Sequence, residues 1–165
     1  MNIIEKINTA RELYRTWSDA LGAEASISER LKELKNKADA SSRMAVRSGV
    51  ADACRRCDRE EGGSCCGAGI ENRYTPELLL INLMLGADLP DSRPMEGSCF
   101  FLGTRGCTLP ARDILCINYL CTRLQKEIPS EELHRLQSIT GEEMDFLFRL
   151  HNDIRNFIKR KTDEI

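Results

Sequence analysis

The chain has 165 residues, the usual size of one domain, with 41% apolar and 30% charged residues, proportions of a folded protein rather than a disordered tail. Its 24 basic and 26 acidic residues leave a formal charge of −2, so no global field attracts nucleic acid or an anionic membrane. No run approaches the roughly 18 apolar residues that cross a bilayer, and the opening Met1-Asn2-Ile3-Ile4-Glu5-Lys6-Ile7 contains no secretory apolar region, so the expected location is the cytoplasm.

In chain order, residues 1–50 are predicted to form an N-terminal helical arm. Ile3, Ile7, Ala10, Leu13, Tyr14, Trp17 and Leu21 recur at three- and four-residue steps and share one face of a helix, with Gly22 as its expected stop. Ser26 and Glu29 make a capping-box pattern. Ile27, Leu31, Leu34 and Ala38 then continue at helical spacing, predicting a second helix that runs toward Gly49. Both stripes read as helix packing rather than as cofactor contacts.

Residues 54–121 hold all eight cysteines: Cys54, Cys57, Cys65, Cys66, Cys99, Cys107, Cys116 and Cys121. Within this stretch Thr75-Pro76-Glu77 is a helix start, with Thr as cap, Pro in the first turn and an acid facing the helix dipole. That helix continues through Leu78-Leu79-Leu80-Ile81-Asn82-Leu83-Met84-Leu85 to Gly86, and its nearly all-round apolar surface predicts burial on most sides.

Residues 130–161 are predicted as C-terminal helices. Ser130 caps a short one containing Leu133 and Leu136, and Thr140 with Glu143 opens another as a capping box. Met144, Leu147, Phe148, His151, Ile154 and Ile158 recur on one face of the last helix, and Lys159, Arg160 and Lys161 suit its negative end. No strand pattern is evident, although the cysteine loops leave room for short β-ribbons. The expected fold is a mainly α, helical bundle-like single domain over residues 1–165, built around a loop-rich cysteine core.

Eight cysteines in a reducing compartment are poorly explained as disulfides, which leaves metal ligation or redox chemistry. Cys54-Arg55-Arg56-Cys57 is a C-x-x-C, the spacing at which a turn brings two sulfurs to one tetrahedral ion at about 2.3 Å. Cys65-Cys66 follows after seven residues, and Cys99, Cys107, Cys116 and Cys121 are separated by seven, eight and four. Sulfur-rich sets select zinc, iron-sulfur clusters or copper(I). Adjacent side chains point apart, so Cys65 and Cys66 are expected to serve two sites, or one site and a spare thiol. One division assigns Cys54, Cys57, one of the pair and a late cysteine to a first centre and the other four to a second. A single cubane cluster, with its unused cysteines as structural or redox-active thiols, fits the sequence equally well.

The order Cys54, Cys57, Cys65-Cys66-Gly67, Cys99-Phe100-Phe101-Leu102, Gly106-Cys107-Thr108-Leu109-Pro110, Arg112, Cys116 and Leu120-Cys121 resembles the CxxCxxxxCC proteins, a family of zinc- or iron-chelating domains often named with the YkgJ family. The resemblance covers residues 54–121. The chain departs from it in three places: seven residues rather than four precede the cysteine pair, Asp113 stands where members commonly have Pro, and Ile117 stands where an Arg often follows the cysteine. The resemblance implies a metal-binding protein whose eight cysteine thiolates coordinate one or two centres, zinc before iron or an iron-sulfur cluster. Relatives named as iron-sulfur oxidoreductases, and flagellin lysine methylases with a similar cysteine pattern, imply enzymatic alternatives.

Every basic residue from position 54 to 123 is Arg, at 55, 56, 59, 73, 93, 105, 112 and 123. Guanidinium groups can donate several hydrogen bonds to thiolates, though ordinary surface composition accounts for the pattern too. His151 reads as a core histidine and His134 as a surface residue. Phe100-Phe101-Leu102 and Tyr119 are expected to shield the sulfurs from water. There is no phosphate loop, no nucleotide-binding glycine pattern, no H-E-x-x-H and no paired C-x-x-C ribbon. The expected partners are a metal ion and, at an exposed surface, a second protein; neither nucleic acid nor a membrane is expected, and no catalytic residue is assigned.

Overall fold

Helix α1, Ile3–Ala23, starts at a capping box: the Asn2 side chain accepts from the Glu5 N–H at 3.0 Å and the Glu5 carboxylate accepts from the Asn2 N–H at 2.8 Å. The computed structural model describes residues 1–60 and 65–164, the side chains of 58–60 excepted. The α1 stripe faces the core through Ile3, Ile7, Ala10 and Leu21, whereas Tyr14 is partly exposed. Gly22 does not stop the helix, which runs one residue further and ends at the extended residue Glu24.

Helix α2, Ala25–Arg47, begins at once after Glu24, so Ser26 and Glu29 lie inside it and the expected capping box does not form. The chain reverses at a single extended residue, and Ser26 already sits within the first turn instead of ahead of it. Ile27, Leu31, Leu34 and Ala38 are buried as their spacing predicts. Gly49, with φ of +83°, redirects the chain into α3, Val50–Glu60. A single 3-10 turn, Ile70–Arg73, leads to α4, Pro76–Met84, capped by Thr75, whose hydroxyl accepts from the Leu78 N–H at 3.2 Å.

Helix α4 is the enclosed element. Leu78, Leu79, Leu80, Ile81 and Asn82 are all buried, because α1 and α7 pack against it. A two-residue hairpin follows, β1 Leu102–Gly103 with β2 Gly106–Cys107, antiparallel and registered Leu102 to Cys107. Two short helices, α5 Ile114–Asn118 and α6 Thr122–Glu127, precede α7, Ser130–Asp163.

The expected pair of C-terminal helices is one continuous helix of 34 residues, about 50 Å long. Pro129, not Ser130, occupies its N-cap position. Thr140 and Glu143 do not open a new helix; both are buried at mid-helix, and the Thr140 hydroxyl donates to the Gln137 carbonyl at 3.2 Å. The helix runs through Gly141, at a cost of about 1 kcal/mol, because it is held in two separate apolar clusters. Leu133 and Leu136 pack with Met44, Val50, Ala53 and Leu124 in the smaller one. Leu147, Leu150, Ile154 and Phe157 belong to the main core, where the Trp17 ring meets Phe157 edge-on at 6.2 Å. Phe148, expected on the buried face, is instead 60% exposed.

The architecture is a mainly α single domain with one small hairpin among the described residues. None of the described helices is long and apolar enough to cross a membrane. Leu150 has no exposed surface at the centre of the main core. Leu150→Ala is expected to lower unfolding stability by about 2–5 kcal/mol, read from the denaturant midpoint at unchanged slope.

Candidate metal centre

The cysteines are carried by helices, a hairpin and the loops between them. Cys54 and Cys57 stand three residues apart in α3, on one helical face; the C-x-x-C is thus part of a helix rather than the expected turn. Cys66 is tied to the late cysteines through the backbone, since its carbonyl accepts from the Cys99 N–H at 2.6 Å. Gly67 bridges to Ser98, and the Ala68 N–H donates to the Gly97 carbonyl at 2.9 Å, extending the contact. The hairpin sets Cys107, and Gly106 makes its turn at φ of +115°, a conformation that side chains beyond Gly resist. Cys116 lies in α5, whose first turn is capped by Asp113, and Cys121 occupies the N-cap position of α6.

Three features that hold this arrangement were not singled out in the sequence. Asn82 donates from its amide to the carbonyls of Leu78 at 2.9 Å and Ala111 at 2.8 Å, and accepts from the Ala111 N–H at 2.9 Å. Its signal was a polar residue among buried leucines, and the loop between Cys107 and Cys116 is pinned to α4 through it. Glu71 is buried and pairs with Arg93, which also donates to the Ser98 carbonyl, while the Gly69 N–H donates to Glu71 at 2.8 Å. These bonds fasten the segment after Cys66 to the segment before Cys99. Tyr74, 1% exposed, stacks edge-on with Phe101 at 5.0 Å beside the Cys107 sulfur.

The thiols separate electrostatically into two sets. Cys54 is pushed up by burial and then by Cys121, Cys65 and Cys57; Cys65 is pushed up by burial and then by Cys121 and Cys57. Burial pushes Cys66 up to about 12, helped by Cys107, Cys116 and Cys99, with Cys54 acting last. Burial pushes Cys116 up to about 11, with Asp113, Cys107 and Cys99 adding to it and Arg112 opposing it. Cys99 and Cys107 are raised by burial too, although backbone N–H groups of Phe101 and Leu109 favour their thiolates. Cys107 keeps an exposed edge, yet the protein packed around its sulfur still dominates. One set is therefore Cys54, Cys57, Cys65 and Cys121, and the other Cys66, Cys99, Cys107 and Cys116.

None of the eight cysteines is in a disulfide. Neighbouring thiols add to the raised pKa of Cys54, Cys65, Cys66 and Cys116, but among the described residues no three Cys, His, Asp or Glu side chains converge tightly enough to hold an ion as they stand. By donor type and number each set suits one tetrahedral thiolate-bound ion. Phe100 and Phe101 are buried beside the second set, whereas Tyr119 is 53% exposed and does not shield sulfur as expected. His134 is exposed, and His151 is half-buried with Nε2 3.1 Å from the Thr75 hydroxyl, so neither belongs to a sulfur set.

A groove of about 670 Å³ lies between α5 and the start of α7, lined by Arg73, Ile114, Leu115, Tyr119, His134 and Gln137 among others. No cysteine lines it, so it offers a surface beside the sulfurs rather than an opening onto them. Ile114, Leu115 and Tyr119 are among its exposed apolar residues.

No protein-family model, no curated protein and no solved structure matches the chain.

The Glu71 carboxyl would be raised by burial alone, but Arg93 and the backbone donors hold it below its ordinary value of 4.5. Its contribution to stability is therefore complete above that value and is lost as pH falls through the lowered one. Glu71→Gln is expected to cost roughly 1–3 kcal/mol at neutral pH, because Arg93 loses a charged partner, and to make the stability curve flatter below pH 4.5. Denaturant titrations of both proteins from neutral to acid pH check this.

Proposed function

We propose that this chain is a metal-binding protein whose eight cysteines hold two ions, with zinc as the first choice and iron as the second. The observation that carries this reading is the division of the thiols into two sets of four, with Cys65 assigned to one and Cys66 to the other. Neighbouring side chains point apart, and that is what two adjacent four-sulfur centres require of a cysteine pair. The raised thiol pKa values give the same indication. Sulfurs gathered in a partly dry site disfavour one another's charge, and a divalent cation removes that penalty.

In this reading Cys54, Cys57, Cys65 and Cys121 would hold one ion and Cys66, Cys99, Cys107 and Cys116 the other. The ion would supply a fixed crosslink among the cysteine loops, and binding would draw together sulfurs that are too far apart to ligate as they stand. The protein's part is to present the donors. Asn82 and the Glu71–Arg93 pair fix the loop backbones, and the N–H groups of Phe101 and Leu109 favour the thiolate forms of Cys99 and Cys107.

The cysteine order also supports membership of the CxxCxxxxCC proteins. At one of the three departures, Asp113 caps α5, and capping is a helix-starting role as is that of the proline common there in the family. Location in the cytoplasm belongs to the same reading, since free thiols persist in a reducing compartment. A binding role ranks above an iron-sulfur oxidoreductase or a methylase-related enzyme because the groove on α5 does not open onto sulfur. That groove is instead a surface for a protein partner.

The deciding experiment is metal content per chain, with an absorbance spectrum, on protein purified without oxygen. Two zinc ions and no visible absorbance are expected. Iron with acid-labile sulfide would favour the redox enzyme, and no bound metal would overturn the reading.

Single substitutions resolve the two centres. Cys65→Ser and Cys57→Ser are each expected to lose one ion and keep the other, and Cys66→Ser to lose the other ion instead. Metal counting on the three variants, with melting curves, checks the assignment; loss of the same ion from all three would point to a single shared centre.

A further inference from the structure

We propose that the groove between α5 and the start of α7 takes a short acidic segment of a partner protein, with an apolar side chain seated on Ile114, Leu115 and Tyr119 and a neighbouring carboxylate held by Arg73. The inference deepens the reading of that groove as a partner surface by naming what fills it, and it does not depend on which metal the sulfurs hold.

The apolar part of the groove is built by α5. Asp113 caps that helix by accepting from the Leu115 N–H at 3.0 Å, and Ile114 and Leu115 in its first turn are 46% and 39% exposed. Tyr119, which ends the helix, is 53% exposed. A single exposed apolar residue needs no explanation, but three that line one groove of about 670 Å³ form a concave apolar surface of the kind that partners cover. Tyr and Arg are also the residue types that most often anchor protein contacts.

The charge of the groove has one sign. Arg73 lines it, and no Asp or Glu does. The Arg73 Nε donates to Asp113 at 2.7 Å, which fixes the guanidinium against the start of α5, while its two terminal nitrogens make no hydrogen bond or ion pair among the described residues. Those nitrogens are the end of the guanidinium fork that can receive a carboxylate in two parallel bonds. The acids that flank the lining residues in sequence, Glu71, Asp113, Glu127, Glu131 and Glu132, each pair with an arginine. A chain of formal charge −2 thus has here a groove that lacks negative charge.

The other lining residues suit a peptide. Asn118, Gln125 and Gln137 carry side-chain amides, which both donate and accept as a peptide main chain requires. Gln125 spends its Nε2 on the Leu120 carbonyl at 2.8 Å, and its oxygen is left to accept. One arginine is too little charge for nucleic acid. A second copy presenting the same face about a two-fold axis would set a groove of this sign against itself.

The test pans a displayed library of random short peptides against the immobilised full chain, then measures the enriched peptides by fluorescence anisotropy on wild type, Tyr119→Ala and Arg73→Gln. Peptides that combine an aromatic or aliphatic residue with Asp or Glu are expected, with an affinity that falls as salt rises. Both variants are expected to bind roughly tenfold more weakly with unchanged circular dichroism, and Arg73→Gln to lose the preference for an acidic peptide over its Asn and Gln counterpart. Enriched peptides without acids that still weaken in Tyr119→Ala overturn this inference and leave the groove a partner surface. No enrichment, or peptides indifferent to both substitutions, overturns the partner-surface reading with it. A dimer in sedimentation that Tyr119→Ala dissolves makes a second copy the occupant and overturns the inference. Should Arg73→Gln disturb the start of α5, the amide counterpart of the peptide decides on wild type: binding equal to that of the acidic peptide overturns the carboxylate role, and weaker binding supports it.

Discussion

Asn82, polar among the buried leucines of α4, uses its amide nitrogen and oxygen to grip the backbone of one residue, Ala111, and the loop between Cys107 and Cys116 is placed by that grip. A buried amide that lost these bonds would cost about 1–3 kcal/mol, and the Ala111 N–H and carbonyl would be orphaned with it. The helix therefore acts as more than apolar filling. Enclosed by α1 and α7, it is rigid by packing, and through Asn82 it fixes a segment whose Leu109 and Ala111 also enter the main core.

The fold contains two apolar clusters, and cysteines pack with both. The main core holds Cys99 and has Cys66 packed against it, while the smaller cluster around Met44, Val50, Leu124 and Leu133 has Cys121 at its edge. Helix α3, with Cys54 and Cys57, is attached to the smaller cluster through Val50 and Ala53. Helix α7 runs through both clusters, so the separation of the sulfur sets is tied to the longest rigid element of the molecule.

The electrostatics follow from the same partition. Burial raises the Cys54, Cys66 and Cys116 thiols and neighbouring thiols add to the shift, so the charged forms of these donors are unfavourable in the fold as it stands. Where a carboxylate is needed for fastening, as at Glu71, it is matched by Arg93. Glu143, buried in α7, instead has its carboxyl pushed up by burial, with Ser41 and Arg112 acting against that.

Much of this protein was legible in its residues because the signals were local. Apolar spacing marked the buried faces of α1 and α2, and Thr75-Pro76 marked the start of α4. The local signals failed where packing at a distance overrode them. Ser26 and Glu29 resemble a cap but lie inside a helix, and Thr140 and Glu143 resemble a start but sit in the middle of α7, since a capping motif describes one turn and says nothing of what holds the turns on either side. Which late cysteine joins which early one, and the reach of Asn82 to a residue 29 positions away, depend on how the chain folds back on itself. The sequence by itself determined the buried faces of α1 and α2 and the start of α4; tertiary packing alone decided which cysteines become neighbours, because residues far apart along the chain meet only when the cores beneath them close.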